Sequence, residues 1–240
     1  MKHALVLLSG GLDSTTCLGV ALDQGYEVST LSFDYGQRHK VELTQSRAIA
    51  NHYGIQRQLV IPLPFYRTLG GSALTDEIEV PKHLSTADML ESNQGKTGEQ
   101  IPVTYVPARN LIFLSIAVGT AEMIGAEAIF IGVNALDYSG YPDCRPDFIA
   151  QFERTAKLAT RTGVMDGPIE IKTPLLNLSK RQIIELGTQL KVPLALTHSC
   201  YDPISDQSCG HCDSCLLRLT GFAQAGLEDP IVYAETANAP

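Results

Sequence analysis

The chain has 240 residues, 44% apolar and 18% charged, with 18 basic against 26 acidic side chains and a net charge of −8. That length supports one or two domains with a full core, and the composition excludes collagenous and disordered classes. The acidic balance argues against a duplex nucleic-acid binder, and no apolar run approaches the roughly 20 residues of a bilayer span. Met1–Gly11 has too short an apolar stretch for a secretory signal, so a soluble, cytoplasmic protein in a reducing compartment is expected, with no membrane partner.

Five short apolar runs read as strands: Ala4–Leu8, Val28–Phe33, Gln58–Leu63, Ala128–Val133 and Ile169–Thr173. The first and fourth are almost wholly apolar, as strands buried on both faces are. Helical patterns lie between them. Cys17, Leu18, Ala21 and Leu22 share a face ahead of Gly25, and Lys40–Tyr53 closes at Gly54. Ala108–Ile124 is nearly all apolar and reads as a central buried helix. Phe148, Ile149, Phe152, Ala156 and Ala159 form a stripe that ends at Gly163, and Ser179 with Gln182 reads as a capping box ahead of Ile183. This alternation predicts an α/β fold, a Rossmann-like doubly wound parallel sheet with right-handed crossovers. Pro64–Pro102 breaks the rhythm: its middle, Thr75–Gln100, has no period and reads either as an insertion or lid or as a surface excursion.

The first strand ends in Ser9-Gly10-Gly11-Leu12-Asp13-Ser14, directly before a helix. Glycines there let backbone approach an anion, and N–H groups at a helix start favour phosphate. Asp13 could hold Mg²⁺ against the same phosphates. The loop lacks the Gly-Lys-Ser/Thr ending of a Walker A motif and is not G-x-G-x-x-G, and a tight capped turn is the plain alternative. Val106-Pro107-Ala108-Arg109-Asn110 opens the long helix with a cation and an amide. After the fourth strand, residues 132–146 carry Asp137, Tyr138, Tyr141, Asp143 and Arg145. Tyrosines can stack on a heterocycle, a carboxylate can accept from a guanine-like edge, and an arginine can pair with a substrate carboxylate. Lys180 sits in the first turn of a late helix, where a cation opposes the dipole unless it meets an anion.

Six cysteines are present, and four of them, Cys200, Cys209, Cys212 and Cys215, crowd near the C-terminus with eight, two and two residues between them. In a reduced chain that spacing points to metal, tetrahedral zinc or an iron–sulfur cluster, rather than to disulfides. His198 and His211 flank the four as neighbours, and Cys17 reads as core packing.

The Ser9–Ser14 loop resembles the pyrophosphate loop of the ATP-pyrophosphatase superfamily. Together with the Val-Pro-Ala-Arg-Asn run, the Tyr-Ser-Gly-Tyr-Pro-Asp-Cys-Arg run and the terminal cysteines, in that order, the whole chain resembles the 7-cyano-7-deazaguanine synthase family of queuosine biosynthesis. The resemblance implies a ligase that makes a nitrile from 7-carboxy-7-deazaguanine, ammonia and ATP through adenylated carboxylate and amide intermediates. It implies Mg²⁺ with ATP and one structural Zn²⁺ on Cys200, Cys209, Cys212 and Cys215. Leu8, Ser9, Gly10, Gly11, Leu12, Asp13, Ser14 and Phe33 would bind ATP. Asp13, Lys180 and Arg109 would be catalytic, and Asn110, Asp137, Tyr138, Tyr141, Asp143 and Arg145 would hold the deazaguanine. Residues 1–195 would form the catalytic domain, 196–226 the zinc segment and 227–240 a tail, in a homodimer. Two other readings share the loop: a tRNA thiolase, which the net charge opposes, and a non-enzymatic zinc-bearing nucleotide-binding module, which has no use for a second polar pocket.

Overall fold

The computed structural model describes residues 2–37, 40–93, 101–134 and 141–234. In chain order its elements are β1 (His3–Leu7), α1 (Leu12–Asp23), β2 (Glu27–Asp34), α2 (Val41–His52), β3 (Gln58–Pro62), α3 (Tyr66–Leu69), α4 (Thr86–Asn93) and α5 (Arg109–Ile124). They continue with β4 (Ala128–Phe130), α6 (Pro146–Ala159), α7 (Arg161–Met165), β5 (Glu170–Lys172), α8 (Lys180–Gln189) and α9 (Asp213–Gln224). Single 3₁₀ turns fall at Pro142–Cys144 and Leu194–Leu196.

All strand pairings are parallel, in the order β3-β2-β1-β4-β5. The chain runs outward from β1 through β2 to β3, then returns to the other side of β1 with β4 and β5. A switch point therefore opens beyond the carboxyl ends of β1 and β4, where α/β sheets bind ligands. Strand alternation divides the core into two layers. Leu5, Leu7 and Ile129 face a layer completed by Leu114, Ala117 and Ala121 of α5 and Ile149 and Phe152 of α6. Ala4, Val6, Ala128 and Phe130 face the other, with Cys17 and Leu18 of α1, Ile49 of α2 and Ile183 of α8. Each fully buried Leu or Ile in these layers contributes on the order of 2 kcal/mol.

The five strands and five of the helices follow the pattern predicted from the sequence, including the Ser179–Gln182 capping box, where both reciprocal bonds are present. Three points differ. The Ala108–Ile124 helix is not buried all round: Leu111 and Met123 are exposed, so only one face packs on the sheet. The long connection carries α4, which packs against α9. The cysteine-rich segment continues into the 12-residue helix α9.

Candidate active site

The glycine-containing loop between β1 and α1 is held in shape by its own serines. Ser9 Oγ donates to Ser14 Oγ (2.9 Å), the Ser14 hydroxyl donates to the Gly11 carbonyl (3.1 Å), and Gly11 N–H donates to Ser9 Oγ (3.2 Å). Gly10 adopts a φ of +92°, and a Cβ there would lie 2.4 Å from the Glu42 carbonyl oxygen, so α2 can abut the loop only at glycine. Gly132 makes the second close approach: a Cβ there would lie 3.0 Å from the Asp13 backbone where α1 begins.

Lys180, the first residue of α8, reaches back to Asp13, its Nζ lying 2.8 Å from each carboxylate oxygen. A cation at a helix N-terminus is unfavourable against the dipole, and here an acidic side chain 167 residues away offsets that cost. Ser199 joins the same end. Its Oγ accepts from the Leu12 N–H (3.3 Å), one of the donors expected to face phosphate, and His198 N–H donates to the Gly10 carbonyl (2.9 Å). The cysteine-rich segment thus leans directly on the anion loop.

A cavity of about 300 Å³ runs from this loop across the switch point. Leu8, Ser9, Gly11, Leu12, Asp13, Ser14 and Lys180 line one end, and Arg109, Asn110, Tyr141 and Cys144 the other. Phe33 stacks on Phe113 in its wall, with centroids 4.0 Å apart and planes at 16°. The structure therefore brings together most of the residues singled out from the sequence.

The exceptions are specific, and the first is Gly10, which packs on α2 and is not among the lining residues. Asp137 and Tyr138 lie outside the described residues. Arg145 is exposed at the N-terminus of α6 and does not line the cavity. Asp143 is buried behind the wall, where its carboxylate accepts from the Asn110 backbone N–H (2.9 Å) and side-chain amide (3.4 Å). It caps α5 and aims Asn110, whose Nδ2 also reaches Cys144 Sγ (3.2 Å).

Arg109 is aimed by strained backbone. Ala108, just before α5, has a left-handed φ of 55°, and its N–H is held by the Tyr105 hydroxyl (2.9 Å). Burial pulls the Arg109 guanidinium down, but Tyr35, Tyr141 and Asp143 around it push it net upward, so it remains a cation. The Tyr141 hydroxyl pairs with Thr104 (2.8 Å). Burial pushes the Cys144 thiol up to about 12, with the neighbouring Asp143 adding to it, which keeps it protonated and removes it as a nucleophile.

Sequence reasoning missed Glu42, Ser199 and Tyr201, which also line the cavity. Glu42 gave no motif signal, being one carboxylate in the first turn of an amphipathic helix, where dipole stabilisation is explanation enough.

The four C-terminal cysteines are buried, with their sulfurs all within 4.8 Å of one another, and could hold a metal ion. They form no disulfide. Backbone N–H groups of Cys209 (3.2 Å) and Asp202 (3.4 Å) point at Cys200 Sγ, as donors to a thiolate would. The long connection straps this cluster: Ala73 and Val80 pack on the cysteines, and Lys82 pairs with Asp202 (2.9 Å). Arg218 of α9 anchors the following chain, its guanidinium gripping Asp229 in a two-pronged pair of 2.7 and 2.9 Å.

Comparison with known proteins gives the family of the chain. Residues 3–226 match the family described as "Queuosine biosynthesis protein QueC". The chain is 56% identical over 235 residues to a 7-cyano-7-deazaguanine synthase of Anaeromyxobacter dehalogenans, covering 98% of this chain and 97% of that one. It is 57% identical over 234 residues to the synthase of that name from Solidesulfovibrio magneticus, covering 97% and 96%. Among solved structures, NMN synthetase from Francisella tularensis shares the fold at a TM-score of 0.50 and 17% identity, over 95% of this chain and 78% of that one. A family match that spans the anion loop, both ends of the cavity and all four cysteines leaves one assignment: this chain belongs to the queuosine biosynthesis protein QueC family.

Proposed function

We propose that the chain is a 7-cyano-7-deazaguanine synthase, an ATP-dependent ligase that converts 7-carboxy-7-deazaguanine and ammonia to the nitrile. The observation that carries this is the single cavity with an anion loop at one end and a cation, an amide and tyrosines at the other. A nucleotide sensor needs only the first end, and a tRNA thiolase would need a basic surface that a net charge of −8 does not provide.

In this reading Ser9–Ser14 hold the triphosphate with Leu8 and Phe33 against the nucleoside, while Lys180 exchanges part of its bond to Asp13 for phosphate oxygens. The substrate carboxylate, oriented by Arg109, attacks the α-phosphorus and pyrophosphate leaves. Ammonia then displaces AMP to give the amide. A second ATP activates the amide oxygen in the same place, and loss of AMP leaves the nitrile. Both rounds present an oxygen to the same α-phosphate, so one site serves both, and alignment with charge stabilisation carries the rate. Magnesium on ATP would neutralise charge on the departing pyrophosphate, and Asp13 would be the carboxylate that holds it.

Asn110 and Tyr141, with Asp137 and Tyr138 outside the described residues, are assigned to the deazaguanine, and Asp143 supports Asn110 from behind. Zinc suits the cysteine cluster: four ligands at about 2.3 Å in a tetrahedron place sulfurs roughly 3.8 Å apart, and the Cys209–Cys215 and Cys200–Cys212 pairs stand at 4.0 Å. Four protein ligands leave no open position, so the ion's part is structural. Residues 1–195 with 196–226 then act as one catalytic unit, in the cytoplasm.

The test is mass spectrometry of small molecules after incubating the protein with 7-carboxy-7-deazaguanine, ammonium, Mg²⁺ and ATP. Nitrile and AMP, both lost in Asp13→Ala, are expected. Folded, metal-loaded protein that binds ATP but forms no AMP with this acid would overturn the reading.

A further inference from the structure

Formation of the acyl adenylate from a carboxylate releases no proton, but ammonia attack and the conversion of amide to nitrile do, and those protons need an acceptor. When ammonia attacks the acyl adenylate, a C–N bond forms and the C–O bond to AMP breaks. AMP leaves with that electron pair, and the new ammonium-type nitrogen must lose one proton to become the neutral amide. Asp13 is tied to Lys180, Asp143 is buried under Asn110, Arg109 stays charged, and Cys144 is protonated.

Glu42 differs from all of these. It lies in the first turn of α2, lines the same cavity as the anion loop, and has its backbone against the Gly10 turn. Among the described residues its carboxylate has no hydrogen bond or ion pair like those of Asp13 and Asp143. Among the described residues, the charged or titratable groups acting on it are Arg109 of α5 and Tyr35 of the β2–α2 connection, while the Gly10 turn faces it with backbone. Glu42 thus lines the same cavity as the cation that would orient the substrate carboxylate, and it feels that cation's charge.

We propose that the Glu42 carboxylate is the proton acceptor for ammonia attack on the acyl adenylate, an inference that rests on the synthase reading above. Its environment suits the task. Burial raises the Glu42 carboxyl and Arg109 draws it back, leaving it at about 7, where a group can take up and release a proton within one turnover. The same group is placed to take the N–H proton lost as the activated amide collapses to nitrile and AMP.

The experiment separates adenylation from ammonia attack. Exchange of radiolabelled pyrophosphate into ATP, driven by 7-carboxy-7-deazaguanine without ammonium, reports adenylation alone; amide and nitrile formation with ammonium reports both steps. Glu42→Gln is expected to keep exchange within about threefold of the unmodified protein and to lose roughly 10²–10³-fold in product formation. At fixed free ammonia the unmodified protein should show a rate that rises with pH through about 7, an inflection absent from Glu42→Gln and restored in part by Glu42→Asp. A melting temperature no lower than that of the unmodified protein shows that the variant folds. The proposal is overturned if exchange and product formation fall together with a raised KM for the acid, which makes Glu42 a recognition group, or if Glu42→Gln turns over at full rate. Absence of exchange in the unmodified protein would instead overturn the synthase reading itself.

Discussion

The two ends of the cavity are built on opposite plans. At the anion end, six consecutive residues make their own hydrogen bonds, and few distant groups, chiefly Lys180, Ser199 and His198, are added. At the other end the residues are scattered: Tyr35 and Glu42 come from the β2–α2 connection and α2, Arg109 and Asn110 from α5, Tyr141 and Cys144 from the turn before α6, and Tyr201 from the cysteine segment. The first end works through backbone donors and one ion pair, and needs little beyond a strand, a turn and a helix. The second works through side chains whose positions depend on the whole sheet and on the cysteine cluster. The shape of the loop is thereby set largely locally, while the other end is a property of the assembled molecule.

Metal removal tests this contrast most severely. The cysteine segment contacts both ends, so stripping the ion with a chelator is expected to cost several kcal/mol and lower Tm by roughly 10 °C at about 2–4 °C per kcal/mol. Metal content and a thermal melt read this out, and an unchanged melt in metal-free protein would disprove it. Arg218→Met comes next. It leaves Asp229 buried without its cation, for an expected loss of 3–5 kcal/mol, about what breaking a buried pair costs. Denaturant titration checks it, and Asp229→Asn should lose a similar amount.

Asp13→Ala and Lys180→Met each act at the anion end alone, with losses of roughly 10²–10³-fold in AMP formation. The double variant should lose less than the product of the two, because the residues act as a pair. Fully multiplicative losses would show two independent roles.

Glu42 gives an effect of opposite sign. Its carboxyl sits at about 7 in the folded protein against an ordinary 4.5, so its contribution is complete below pH 4.5 and is lost as pH rises to about 7. Glu42→Gln should therefore match the unmodified protein in acid and exceed its stability above pH 7, by on the order of 2 kcal/mol. Melts across that pH range decide the sign. Ala108→Gly is expected to be the smallest change. Relief of the left-handed strain raises stability by about 1 kcal/mol or less, while freer backbone before Arg109 raises the KM for the acid a fewfold.

Legibility in the sequence followed the same divide. Ser9–Ser14, the capping box at Ser179 and the cysteine spacing each announce themselves within a few residues, because a turn, a helix start and a metal knuckle are local problems. Helix α4 was hidden because Thr-Ala-Asp-Met-Leu-Glu-Ser-Asn has almost no apolar face; Met89 is its one fully buried large side chain, and it is supported by packing on α9. Helix α9 was masked because its first turn lies inside the cysteine run. The all-apolar pattern of α5 suggested burial on every side, although a helix on the outside of a sheet buries only one face.

Alternation of apolar runs determined the parallel sheet, the anion loop at its switch point and the candidate metal ligands, since periodicity and spacing act over short stretches of chain. Tertiary structure alone decided that Asp143 serves Asn110, that Ser199 accepts from the Leu12 N–H, and that Glu42 and Arg109 line one cavity. Those pairings join residues 33, 187 and 67 positions apart, and contacts at such separations are set by how the layers pack, which no local pattern encodes.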